Sequence, residues 1–134
     1  MNKDLEKQIS QFLIQKLSPS LIYLFGSTAK GTDRPDSDID IAFLTKKTID
    51  DYNRFLLAQE LASTLNREVD LVDIQKASTV FQMQILSLGK VLHCEDENER
   101  MEFEMKTFSM YARLNEERRS ILKQIEERGS VYEE

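Results

Sequence analysis

Four short apolar runs, SLIYLF, DIDIAFL, EVDLVDI and KVLHC, punctuate the chain, and the stretches between them carry helical spacing. None approaches the ~20 residues needed to cross a bilayer. Strands that alternate with helices predict an α/β (α+β) fold, a small mixed sheet with helices packed on it. Leu5, Ile9, Phe12 and Leu13 place a helix over residues 2–17, which Ser18-Pro19 stops. Strands are expected over 20–25, 38–44, 68–74 and 90–94, the last at a sheet edge. A helix over 49–65 has Asn66 as its C-cap, and Ser78 and Gly89 bracket a further helix. Residues 27–30 open a short helix that Gly31 closes, and 32–37 form a loop stiffened by Pro35. From about 96 to 128 the pattern is one long helix, with room for a break. With 134 residues, 40% of them apolar, and no linker-like stretch, the chain reads as one domain over 1–134. Residues 1–95 make its core and 96–129 a C-terminal helical segment.

The formal charge of -6 argues against a nucleic-acid surface built on many phosphate contacts, but leaves room for a nucleotide. A single cysteine, Cys94, allows no internal disulfide and fits a reducing compartment. The opening MNKDLEKQIS has no apolar signal region, so a cytoplasmic protein without membrane attachment is expected.

Residues 26–40, GSTAKGTDRPDSDID, carry the chemistry. Side chains alternate along a strand, so Asp38 and Asp40 project together while Ile39, Ile41 and Phe43 enter the opposite layer. Parallel carboxylates repel unless a cation lies between them, and Mg²⁺ prefers hard oxygen ligands shared with substrate phosphates. Asp70 is a third carboxylate in an apolar strand. If its strand neighbours that of Asp38, the three converge, enough for two metal ions about 3.5–4 Å apart. Asp73 falls on the other face of a regular strand and ranks behind Asp70. A strand that turns into a helix at Gly26-Ser27 exposes amides suited to phosphate oxygens, and Lys30 and Arg34 could neutralise a triphosphate tail. Taken singly, each piece has a plainer reading as a solvated turn or a surface charge. Their combination suits nucleotidyl transfer.

Gly26-Ser27, ten residues, then Asp38-Ile39-Asp40, followed by Asp70 on a later strand, resembles the signature of the DNA polymerase β-like nucleotidyltransferases. The short chain, VDLVDIQKAS, SLGKVLHCED and the final helix are more narrowly similar to the MntA-type antitoxins. That resemblance implies a polymerase β-like fold and a Mg²⁺-dependent protein adenylyltransferase. It would move AMP from ATP to a tyrosine of a HEPN-domain, HepT-type RNase toxin, silence it, and form a hetero-oligomer with it. By the same resemblance, Gly26 and Ser27 hold the ATP phosphates, Asp38 and Asp40 bind Mg²⁺, and Asp70 completes the metal site as a further ligand and acts as base. Two other functions stay open: an antitoxin that masks its partner without catalysis, and a transferase for a small hydroxylated molecule.

His93 and Cys94 lack the further ligands a metal site needs and are taken as structural. Met83, Met101, Met105 and Met110 are taken as core filling. Tyr23 is taken as core, and Tyr132 as a conceivable self-modification site. Met101, Met105, Phe108 and Ala112 mark a stripe that Tyr111, Leu114, Ile121 and Ile125 continue, and its Met101–Ala112 half is expected to wrap the sheet. For residues 115–128, partner contact and a solvated face are evenly matched.

Overall fold

The computed structural model describes residues 2–30, 34 and 37–132, with the side chains of Lys30 and of 129–132 left aside. Gly31, Pro35 and most of the expected 32–37 loop therefore lie outside the described residues, as does the Tyr132 side chain. The order is α1 (Lys3–Leu17), β1 (Leu21–Phe25), α2 (Gly26–Lys30), β2 (Ile39–Leu44), α3 (Asp51–Leu65), β3 (Val69–Asp73), α4 (Thr79–Leu88), β4 (Lys90–Cys94) and α5 (Glu97–Tyr132). A single 3₁₀ turn, Ile74–Lys76, follows β3.

Local chemistry sets most of these boundaries. Asn2 accepts from the Asp4 amide (2.7 Å) and opens α1. Ser18 adopts the left-handed conformation (φ 46°) and closes it. Asp50 accepts from the Asn53 amide (2.7 Å), and Asn66 closes α3 at φ 55°. Such caps satisfy amides and carbonyls that a helix end leaves orphaned. Ser78 accepts from the Phe81 amide (3.1 Å) at the start of α4. Gly89 ends α4 where no side chain fits: a Cβ would run into the Ile85 carbonyl oxygen and come within 2.9 Å of the Leu24 carbonyl oxygen.

The strands pair in the order β3-β2-β1-β4, so β4 lies at an edge. β1 runs antiparallel to both neighbours, and β3 lies parallel to β2. The parallel pair is bridged by α3, as a crossover requires. On one face, Ile22, Leu24, Ile39, Ile41, Phe43 and Leu71 meet Ile9 and Leu13 of α1 and Leu57 and Leu61 of α3. On the other, Leu21, Tyr23, Ala42 and Leu44 meet Ile74 and Ile85, with Phe81 of α4 and Phe103 of α5 at the margin.

The final helix is unbroken over 36 residues, so the break allowed by the sequence does not occur. Its packing face keeps Tyr111 and Leu114 of the expected stripe but differs in the first half. The line Phe103, Thr107, Tyr111 and Leu114 is the less exposed one, and Thr107 is buried. The Thr107 hydroxyl can be buried because it donates back to the Phe103 carbonyl (3.0 Å). Met105 stands about 200° around the helix from that line. Hence Met101, Met105, Phe108 and Met110 are exposed rather than core filling, and the first half of the predicted stripe points outward. Met83 is half-buried, and Tyr23 is core.

Candidate active site

The end of β1, the start of β2 and the start of β3 meet at one corner of the sheet. Asp40 is directly opposite Phe25 on its antiparallel side and level with Asp70 on its parallel side. Paired residues share a face, so Asp40 and Asp70 project together from the α4 side of the sheet. Ile39 and Ile41 go into the opposite core, as their alternation predicts. Asp38 lies just before β2 and is exposed, as is Asp70, while Asp40 is half-buried. Burial, with the negative charges of Asp70 and Asp38 added, pushes the Asp40 carboxyl up to about 6. The carboxylates of this corner thus repel one another.

Gly26 leaves β1 at φ 69°, in the left-handed region, and enters α2 at once. A Cβ there would overlap Asp40 Oδ2 and sit 3.1 Å from its Cγ. The glycine is therefore required twice over, by its backbone angle and by the carboxylate lying against it. Thr28 is buried and donates to the Phe25 carbonyl (3.1 Å), which ties α2 to the strand it follows. The first turn of α2 holds no acidic residue to compete for an anion.

The approach to Asp38 is held from the connection between α3 and β3. Arg67, placed after the Asn66 cap, donates through Nε (3.0 Å) and a terminal nitrogen (2.7 Å) to the Ser37 carbonyl. It also donates to the Arg34 carbonyl (3.1 Å). The Arg34 amide donates to Ser37 Oγ (2.8 Å). Arg67 was not singled out from sequence; its signal is a lone arginine between a helix cap and the strand that carries Asp70. Arg34, expected to neutralise phosphate, is exposed, and its described contacts are all through its main chain. The side chain of Lys30 lies outside the described residues. Asp73 is buried and accepts from the Gln75 amide (3.2 Å), so it caps the 3₁₀ turn rather than joining the carboxylates.

Among the described residues, no three His, Cys, Asp or Glu side chains form a metal cage by themselves. The expected convergence therefore extends to placement at one corner, and not to a closed ligand set. The donors present are hard carboxylate oxygens in a negatively charged corner, which fit a divalent cation that completes its shell with substrate phosphate and water.

A hollow of about 250 Å³ adjoins Asp40, lined by Phe25, Gly26, Phe81, Gln84 and Leu88. It was not legible in the sequence, because its walls come from β1 and α4, far apart in the chain. A larger one, about 650 Å³, lies at the other end of the sheet, among Ser20, Thr45, Lys46, Lys47, Glu95 and Glu99. It lacks the carboxylate-and-glycine arrangement, so size does not mark the site here.

Comparison with known proteins agrees with this geometry. Residues 7–98 match the family model described as polymerase beta, nucleotidyltransferase. The chain is 48% identical over 102 residues to the protein adenylyltransferase MntA of Shewanella oneidensis, covering 76% of this chain and 73% of that protein. A crystal structure of a toxin–antitoxin with AMP-PNP superposes with a TM-score of 0.80 at 43% identity, over 90% of this chain and 97% of that one. A structure of tri-AMPylated Shewanella oneidensis HEPN toxin with MNT antitoxin matches with a TM-score of 0.78 at 40% identity, over 93% and 98%. Alike in sequence and in fold, the chain belongs to the polymerase beta nucleotidyltransferase family, alongside the MntA protein adenylyltransferases.

Proposed function

We propose that this protein is the antitoxin of a toxin–antitoxin pair and a protein adenylyltransferase that uses Mg²⁺ and ATP. Its acceptor is a tyrosine on a HEPN-type RNase toxin, which the transfer silences and with which the chain forms a hetero-oligomer in the cytoplasm. The observation that carries this reading is the register Phe25–Asp40–Asp70, which sets two carboxylates side by side against the glycine that begins α2.

In this reading Gly26 and Ser27 hold the phosphate tail, with Lys30 and Arg34 adding positive charge around it. Asp38, Asp40 and Asp70 supply carboxylate oxygens for two Mg²⁺ ions, which when bound neutralise charge on the reacting phosphate. Asp70 also takes the proton from the tyrosyl hydroxyl. The phenolic oxygen bonds to the α-phosphorus, the bond to the bridging oxygen breaks, and pyrophosphate leaves. Arg67 keeps Asp38 in register by gripping the backbone before it. The relatives support the acceptor and the nucleotide: one is named a protein adenylyltransferase, and one solved complex holds a tri-AMPylated toxin.

The test mixes the chain, its partner toxin, Mg²⁺ and labelled ATP. The expected outcome is label on the toxin and a toxin mass raised by whole AMP units. A doubly substituted Asp38→Ala/Asp40→Ala chain that still neutralises the toxin, with no label transferred, would replace this reading with one of masking by contact.

A further inference from the structure

We infer that Arg54 is a positioning residue for the transfer reaction: its hydrogen bond to the Leu71 carbonyl fixes the free edge of β3 and so keeps Asp70 level with Asp40. This rests on the nucleotidyl-transfer reading above. The two carboxylates are held unequally. Asp40 stands on a central strand, between β1 and β3, with Gly26 lying against it. Asp70 stands on an edge strand and is exposed. Its side chain makes no hydrogen bond among the described residues, so its place is set by its backbone. Mg²⁺ tolerates little departure from octahedral geometry, which makes a loosely held ligand costly.

The backbone around Asp70 has one hold on its open side. The Ile39 amide donates to the Glu68 carbonyl (2.9 Å). Along a parallel pair such groups alternate sides, so Asp70 and Val72 also face β2 while the Leu71 carbonyl turns outward. An edge strand leaves groups of that kind without a partner. Here Arg54 Nη1 donates to the Leu71 carbonyl oxygen (2.7 Å). Arg54 belongs to α3, on the closed side of the sheet, yet it reaches round the edge and lines a hollow with Val72 and Phe81 of the α4 side. Nη2 contacts Asp51 Oδ1 (3.3 Å), which draws the guanidinium back toward α3. Leu71 is thus fixed twice, by a side chain buried in the closed layer and by this tether on its carbonyl. The peptide that joins it to Asp70 has little freedom to swing. Arg54 Nε is buried without an acceptor among the described residues. A buried donor left unmade costs stability, so stability alone does not account for the placement.

Calorimetric titration of Mn²⁺ into the full chain, with a non-hydrolysable ATP analogue present, reads the metal site without turnover. Arg54→Met keeps the apolar stem and removes the donor. It is expected to weaken Mn²⁺ binding about fivefold and to lower kcat for transfer to the toxin about tenfold, with KM for ATP unchanged. Arg54→Lys returns one donor to the Leu71 carbonyl and is expected to hold both quantities within about twofold of the wild type. In an Asp70→Asn background, Arg54→Met should weaken Mn²⁺ binding no further, because the residue acts through Asp70. Additive losses in that background, or an Arg54→Met chain that binds Mn²⁺ and turns over like the wild type, overturn the inference and leave adenylyl transfer standing. An Arg54→Lys chain that melts like the wild type and still loses the metal overturns it as well. A wild type that binds neither Mn²⁺ nor the analogue removes the underlying reading and this one together.

Discussion

The two faces of the sheet are built to different ends. The face under α1 and α3 is closed: Ile9, Leu13, Ile22, Leu24, Ile39, Ile41, Phe43 and Leu61 are fully buried. Burial of each such side chain is worth about 1.5–3 kcal/mol. The face under α4 and α5 is closed only over part of its area, and where the cover ends it shows Asp40, Asp70 and the hollow of Phe25 and Phe81. β2 serves both at once, since Ile39 and Ile41 anchor it in the closed layer while Asp40 faces the open corner. The closed face holds the strand in register, and that register sets Asp40 beside Asp70. Stability and chemistry are thus divided between alternate residues of one strand.

The largest expected effect lies on the open face. Asp38→Ala/Asp40→Ala should lower adenylyl transfer about a thousandfold, as loss of several kcal/mol of charge stabilisation implies, and leave the melting temperature no lower. A drop in melting temperature together with activity would erase the division of labour. On the closed face, Leu61→Ala should lower unfolding free energy by about 2–5 kcal/mol in a denaturant titration and leave transfer per folded molecule intact.

The pH dependence sharpens the contrast further. The Asp40 carboxyl stands at about 6 in the fold against an ordinary 3.8. The folded state therefore takes up this proton first as pH falls. Asp40 costs stability at neutral pH, and that cost fades as pH drops through 6 toward 4. Asp40→Asn should melt higher than the parent at pH 7 in the absence of divalent ions, with the gap closing toward pH 4. A gap that stays constant with pH would show that burial is not what strains this carboxyl. Smaller again, Arg67→Ala removes three donations to the Ser37 and Arg34 carbonyls. It should cost about 1 kcal/mol in stability and slow transfer more than it weakens ATP binding. Truncation after Asn115 should move the melting temperature of the body least, because the helix beyond it is exposed.

What the sequence showed, and what it hid, follows from how far each signal reaches. Asn66, Ser78 and Gly89 were legible as caps because a cap answers to amides and carbonyls a few residues away. The preference for Asp70 over Asp73 came from strand alternation alone, and it agrees with the placement of one at the carboxylate corner and the other under a 3₁₀ turn. The inward face of α5 was misread because apolarity alone points to its methionines, while the structure buries Thr107, whose hydroxyl is satisfied within the helix. Arg67 carried no local signal. It acts across a distance in sequence that only the pairing of β2 with β3 closes.

The outer half of α5 has a consequence of its own. From residue 116 to 128 every position is exposed, Ile121, Leu122 and Ile125 included. A helical stretch of this length is marginal in water without tertiary support. In the isolated chain its amides should exchange with deuterium far faster than those of α1 or α3, with protection falling off past Leu114. An exchange profile along this single helix, taken with and without the partner, therefore separates the two readings of residues 115–128: slowing of these amides marks partner contact, and unchanged exchange marks a solvated face.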